Sequence, residues 1–401
     1  MLHRTFKAFQ YPDFRLMWGG ACTSSIGTWM QKLAQSWLVL EISGSPFLLG
    51  LDSFLGEIPI FLFSLVGGVV ADRMDRRHLL LVSQFIQMGC ALFLASLFAF
   101  GVVQVWHILC LSFIVGLAQA FGGPAYQALI PTLVKSEDLP NAIALNSIQF
   151  NVARVVGPVL GGLALTNLGA AWCFGLNGLS FIAVITTLIL IKARYKPADD
   201  KRSMLDSMKM GIGFIRSKEA MTALILLAFL MTMLGIPLVV FLPVFAKDVF
   251  QKGPSTYTLF LAISGIGSIV GALLVATFHH RRRMGLATVV MIVALGLCIT
   301  GFALSKSMFL SCALLFVGSA VLISVFALIS SLVQLITTDE MRGRVMSVYN
   351  VAFRGGMPFG SLVTGSLVKD LGAPLVVSVN GALLACLGLY YLLVQKKVAK
   401  L

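Results

Sequence analysis

Asn151–Val152–Ala153–Arg154, followed by Pro158, returns two hundred positions later as Val351–Ala352–Phe353–Arg354, followed by Pro358, and Ser147 is matched by Ser347. Each copy sits inside a long apolar stretch. A repeat at that spacing reads as a duplicated membrane bundle. It also keeps an arginine at the same place in both halves, where hydrocarbon makes a charge costly, and a charge kept there is kept for function.

Composition agrees with a membrane class. The 401 residues are 58% hydrophobic and only 11% charged, with a mean hydropathy of +0.94, whereas a soluble domain carries about 25% charged residues. A spanning helix needs about 20 apolar residues. Twelve such runs can be marked, near 16–40, 46–71, 79–100, 105–127, 140–166, 171–192, 219–246, 255–278, 285–304, 308–333, 344–368 and 373–394. The expected fold is therefore an all-α membrane protein with twelve transmembrane helices in two six-helix pseudo-symmetric halves.

The net charge of +14 would point to nucleic acid in a soluble protein. Its distribution says otherwise. With the N-terminus placed in the cytoplasm, 23 of the 30 Lys and Arg fall on the cytoplasmic side and 4 outside, while Lys32, Arg154 and Arg354 lie within helices. This is the positive-inside bias, and it puts both termini in the cytoplasm. No nucleic-acid partner is expected. The seven Cys all lie in apolar runs with no metal-ligand spacing, so they read as packing residues and no metal or cofactor is expected. No phosphate-binding GxxxxGK[ST] loop occurs, and Gly265–Gly271 has the wrong spacing for a dinucleotide loop. No Ser/His/Asp set is placed for catalysis, so the chain does not read as an enzyme. Trp29, Trp37, Trp106 and Trp172 lie toward the outer halves of their runs, where anchoring at the membrane interface is the default.

Residues 1–192 and 219–401 form the two expected bundles, joined by a cytoplasmic linker at 193–218. In that linker Met204, Leu205, Met208, Ile212 and Ile215 follow helical steps, which predicts a short amphipathic helix on the membrane surface.

The loop after the second run reads Gly68–Val69–Val70–Ala71–Asp72–Arg73–Met74–Asp75–Arg76–Arg77. Small residues let helices approach, and Asp72 at a helix end beside Arg73, Arg76 and Arg77 can act as a charge latch. This GxxADRxxRR pattern resembles the signature loop of the major facilitator superfamily. The resemblance implies that the loop stabilises the outward-facing state and takes part in the conformational cycle. The second half, around Gly271–Ala276 and His279–Arg283, keeps the bases but has no Asp. Gly157–Pro158–Val159–Leu160–Gly161–Gly162 is similar to the GPxxGG motif of superfamily exporters, although Ala153 stands where the family version carries another Gly. Its glycines close a gap to a neighbouring helix, and Pro158 bends its own. Phe14–Arg15–Leu16–Met17–Trp18 and Arg342–Gly343–Arg344–Val345–Met346–Ser347 are similar to one bacterial branch, that of the enterobactin exporter and drug-efflux proteins.

Stripes of mostly polar residues follow helical steps in three runs: Ser25, Thr28, Lys32 and Gln35; Ser147, Asn151, Arg154, Pro158 and Gly161; Ser347, Asn350, Arg354, Pro358 and Ser361. Such stripes face a bundle interior or water, and the resemblance implies that these helices line the central cavity. Asp52 and Glu57 are the acids within a span. Five residues apart, they stand about 140° apart around the axis and form no dyad on one face. Either carboxylate can carry a coupled proton, or can be a fixed partner of Lys32, Arg154 or Arg354. The resemblance implies a secondary transporter of the bacterial cytoplasmic (inner) membrane. It is expected to be a monomer that exports amphipathic small molecules by proton antiport as its halves alternate access. The surplus of bases suits an anionic or zwitterionic substrate. A lipid or lysophospholipid flippase of the same fold and an uptake symporter are the alternatives.

Overall fold

The computed structural model describes residues 6–191, 204–277 and 283–401. Linker residues 192–203 and most of the basic loop His279–Arg283 lie outside them. All regular structure among the described residues is helical. In chain order α1 is Pro12–Ser43, α2 Pro46–Arg73, α3 Arg76–Ala99, α4 Val105–Leu129, α5 Leu139–Asn167 and α6 Ala170–Leu190. α7 is Met204–Ser217 and α8 Glu219–Val240, continued by Leu242–Val244 and a π-turn at Phe245–Val249. Then follow α9 Pro254–Thr277, α10 Met284–Leu304, α11 Met308–Leu335, α12 Arg342–Leu371 and α13 Ala373–Leu393.

Local chemistry sets the ends. α1 opens with Pro12 in its first turn and closes at Gly44, whose φ of 62° is left-handed and whose N–H donates to Leu40 O. α3 is capped by the Asp75 carboxylate, which accepts from the backbone N–H of Arg77 and His78.

Among the described residues ten helices are long and apolar enough to cross a membrane, which makes the chain a multi-pass membrane protein. The two long helices that miss this count are α1 and α12. Both carry a polar stripe, which lowers their mean hydropathy. Gly211 of α7 packs against the backbone of Arg344 at the start of α12.

Contacts divide the chain into two compact units, Met1–Gly44 with Leu55–Asp200, and Ser45–Phe54 with Lys201–Leu401. In the first, α1 packs on α5 and α6, and α3 on α4 and α6. In the second, α8 packs on α12 and α13, and α10 on α11 and α13. The dividing line runs through α2 rather than through the linker alone. Ser45–Phe54 packs with α12, where a Cβ on Gly50 would stand 2.5 Å from Ser361 O and 3.2 Å from Gly365 Cα. The Ser53 hydroxyl donates to Ser361 Oγ at 3.2 Å.

Lipid tails are as apolar as leucine, so burial alone does not hold spanning helices together, and close backbone approach does. The seams show this. A Cβ on Gly157 would lie 2.5 Å from Trp29 Cβ, and one on Gly161 would lie 2.9 Å from Met30 O, so the GPxxGG glycines set α5 onto α1. Pro158 and Gly162 are buried in the same helix. Gly356 and Gly360 set α12 onto α8 in the same way, with Cβ positions 2.3 Å from Phe229 O and 2.1 Å from Met233 O. One expectation needs correcting. Gly68 faces open space, and the close approach of α2 to α4 falls on its neighbour Gly67, whose Cβ would lie 2.1 Å from Ala120 O. One residue turns the side-chain direction by about 100°, which is why adjacent glycines differ so completely.

Candidate functional site

The polar stripe of α1 organises the first unit. Gln35 donates to Ser112 Oγ at 2.8 Å, Ser25 accepts from Gln149 at 2.7 Å, and Gln31 accepts from Asn177 at 2.6 Å. These bonds fix the rotation of α1 against α4, α5 and α6. Lys32 lies in the same stripe, with its side chain 63% exposed and its Nζ 3.9 Å from Glu57 Oε1.

Trp29, one turn before Lys32, completes the arrangement. The Lys32 ammonium lies 5.6 Å and the Arg154 guanidinium carbon 5.7 Å from the indole centroid. Each such contact contributes about 0.5–2 kcal/mol. Phe150 meets the same ring edge-on at 6.0 Å. Two bases, one carboxylate and an aromatic face thus converge from α1, α2 and α5. The Lys32–Glu57 contact is long, and while the Lys32 side chain is mostly exposed, that of Glu57 is 24% exposed.

Not every expected residue joins this cluster. Asn151 donates back to Ser147 O in its own helix. Asp52 is buried on α2, in the Ser45–Phe54 segment that belongs to the second unit. Arg354 is exposed on α12 of the second unit. The tryptophans divide as well. Trp106 and Trp172 are exposed, as interface anchors would be, whereas Trp37 is buried and Trp29 serves the cation cluster. The missed signal was spacing: Trp29 lies three residues before Lys32, on the same face of α1.

The loop between α2 and α3 has a definite geometry. Asp72 pairs with Arg76 at 3.2 Å. Arg76 donates to Ala128 O at 2.8 Å and Arg77 to Ile189 O at 2.7 Å, so the two guanidinia cap the C-terminal carbonyls of α4 and α6. Arg73 is exposed. Lys218 repeats the device in the second unit on Ile336 O, just after α11.

Sequence reading missed one buried acid. Asp138, 2% exposed before α5, pairs with Lys7 at 2.8 Å and accepts hydrogen bonds from Gln10 and the Tyr11 hydroxyl. Asn141 accepts from Ala8 N, and Trp18 donates to Leu145 O. The hydrogen bond and charge of Asp138 hold the Lys7 ammonium above its ordinary value of 10.5. The start of the chain is thereby strapped to α5.

An all-helical, multi-pass protein with a cation–aromatic–carboxylate cluster on its spanning helices is a membrane transporter of the major facilitator class. The family described as transmembrane secretion effectors matches residues 3–400, and the chain belongs to it. This family and the relatives matched are transporters, not enzymes. The chain is 24% identical over 388 residues to macrolide efflux protein A of Streptococcus pyogenes, covering 94% of each chain. It is 26% identical over 393 residues to the enterobactin exporter of Citrobacter koseri, covering 96% of this chain and 92% of the other. To the staphyloferrin A transporter of Staphylococcus aureus it is 24% identical over 388 residues, covering 93% and 94%. Among solved structures, a nucleoside transporter superposes with a TM-score of 0.74 at 15% identity, covering 94% of this chain and 99% of the other. A bacterial homologue of the lysosomal transporter Spinster gives 0.76 at 14% identity, covering 96% and 97%. These two likenesses speak for the fold alone.

Proposed function

We propose that this protein is a proton-coupled exporter of amphipathic small molecules in the bacterial cytoplasmic membrane. It has twelve spans in two pseudo-symmetric halves, α1–α6 and α8–α13, and both termini are cytoplasmic. It works by alternating access as a monomer. α1 and α12 supply the two spans beyond the ten apolar ones, because a span that carries a working polar stripe has to be less apolar. The relatives' names, efflux protein and exporter, support export over uptake.

The observation that carries the reading is the long Lys32–Glu57 pair beside Arg154 on the Trp29 ring. Lys32 and Arg154 offer positive charge to an anionic or zwitterionic group, and the indole offers an aromatic face. Glu57 is the group that takes a proton when Lys32 is drawn away, and Asp52 is the reserve carrier. Asp72 with Arg73, Arg76 and Arg77 forms the conformational latch.

The test is efflux from cells stripped of their own exporters, with a panel of amphipathic anions, zwitterions and cations. Glu57→Gln abolishes proton-driven efflux and leaves substrate binding by the purified protein within about threefold. Undiminished driven efflux by Glu57→Gln refutes the assignment to Glu57, and the same result with Asp52→Asn as well removes both carboxylates.

A further inference from the structure

A cavity of about 360 Å³ lies in the second unit, between the start of α8 and the end of α13. That is within the size range of small-molecule sites, roughly 300–1,000 Å³. We propose that it is a headgroup site for a phospholipid whose phosphate carries a primary ammonium.

Four features define the ligand. Arg216 lines the cavity and makes no ion pair or hydrogen bond among the described residues. Beside it, the first N–H groups of α8 have no side-chain cap, because Lys218 at the N-cap position carries no acceptor. Both call for an anion. Glu219, the first residue of α8 and held by Lys397, lines the same cavity. Gln395 also lines the cavity, and its Oε1 is buried without a hydrogen-bond partner, so it requires a donor. Inorganic phosphate would meet Arg216 but set its charge against Glu219 with no ammonium to offset it. A simple cation would leave Arg216 unmet. A phosphate ester with an ammonium a few bonds away satisfies all of them.

The wall of the cavity indicates a lipid rather than a soluble ester. Leu226, 46% exposed, lines it one turn beyond Thr222. At the end of α13, Leu393 and Val394 are 64% and 69% exposed. In a multi-pass protein such apolar side chains at a helix end face acyl chains.

The experiment is native mass spectrometry of the full chain in detergent with equal amounts of dioleoyl phosphatidylethanolamine, phosphatidylcholine and phosphatidylglycerol. The expected result is retention of phosphatidylethanolamine at least about threefold above the other two. Arg216→Gln and Gln395→Met each bring it to the phosphatidylcholine level at unchanged helix content. Gln395→Met keeps the comparison decisive if the arginine variant fails to fold. Equal retention of the three lipids overturns the proposal, as does a preference for phosphatidylglycerol, which would mark a plain basic patch. Displacement by equimolar glycerophosphoethanolamine would assign the site to a free phosphate ester and overturn the lipid assignment. The readout involves no transport, so it stands or falls separately from the export reading.

Discussion

Adjacent glycines on α2 permit a controlled measurement of how the first unit is held together. An alanine at Gly67 would place its Cβ 2.1 Å from Ala120 O, 3.0 Å from Ala120 C and 3.1 Å from Phe121 Cα, all backbone atoms of α4. An alanine at Gly68 would meet nothing within 4 Å. A comfortable C···O approach is about 3.3–3.6 Å, so Gly67→Ala forces the two helices apart by about 1 Å. Overpacking of that kind costs about 1–3 kcal/mol. Both substitutions also gain up to about 1 kcal/mol from helix propensity. That gain cancels in the comparison, so the difference between the variants isolates packing. At about 2–4 °C per kcal/mol for a unit of this size, Gly67→Ala should melt roughly 2–12 °C below Gly68→Ala. The assay is the apparent melting temperature in one detergent at one scan rate, because membrane proteins unfold irreversibly. Melting of the two variants within about 1 °C of each other would refute close backbone packing as the basis of this seam.

Three further outcomes follow from the geometry. Arg76, whose side chain is 15% exposed and which donates to Ala128 O, should cost about 1.5–3 kcal/mol when changed to Gln, whereas Asp72→Asn, at a side chain 62% exposed, should cost less than about 1 kcal/mol; a larger melting shift for Asp72→Asn would reverse the assignment of which residue holds the loop. Lys7→Met should lower the melting temperature by the same amount from about pH 7 to about pH 9. A base whose folded value is raised above 10.5 contributes fully below that value and loses its contribution only as the pH climbs through the raised one, so a penalty that fades within this window would contradict the strap. In a background lacking the seven native Cys, an impermeant thiol reagent on intact cells should label Ser255→Cys and spare Ser217→Cys, and the opposite pattern would invert the topology.

The sequence made the class plain because a bilayer imposes a simple code. Span length, the uneven distribution of Lys and Arg among the loops, and the loop around Asp72 are all one-dimensional signals. The GPxxGG glycines were legible for the same reason: a small residue at every fourth position of a spanning helix has few other uses, and Gly157 and Gly161 do lie against α1. Azimuth was less legible. Gly67 and Gly68 look alike on paper and differ by about 100° in space. Asn151 shares the stripe of Arg154 and yet bonds within its own helix.

Tertiary partners could not be read at all. Asp138 sits in an ordinary polar loop, and only the fold brings Lys7, Gln10 and Tyr11 onto it across more than a hundred residues. Trp29 illustrates the same point from the other side. Composition alone makes a tryptophan near a helix end an interface anchor, which fits Trp106 and Trp172 at 56% and 55% exposure. What separates Trp29 from them is two bases on its ring, one from its own helix and one from α5. The glycine seam that sets α5 onto α1 is also what brings Arg154 within reach of that ring. The packing motif and the cation cluster are therefore one construction: loosening Gly157 moves Arg154 away from Trp29, even though Gly157 carries no charge of its own.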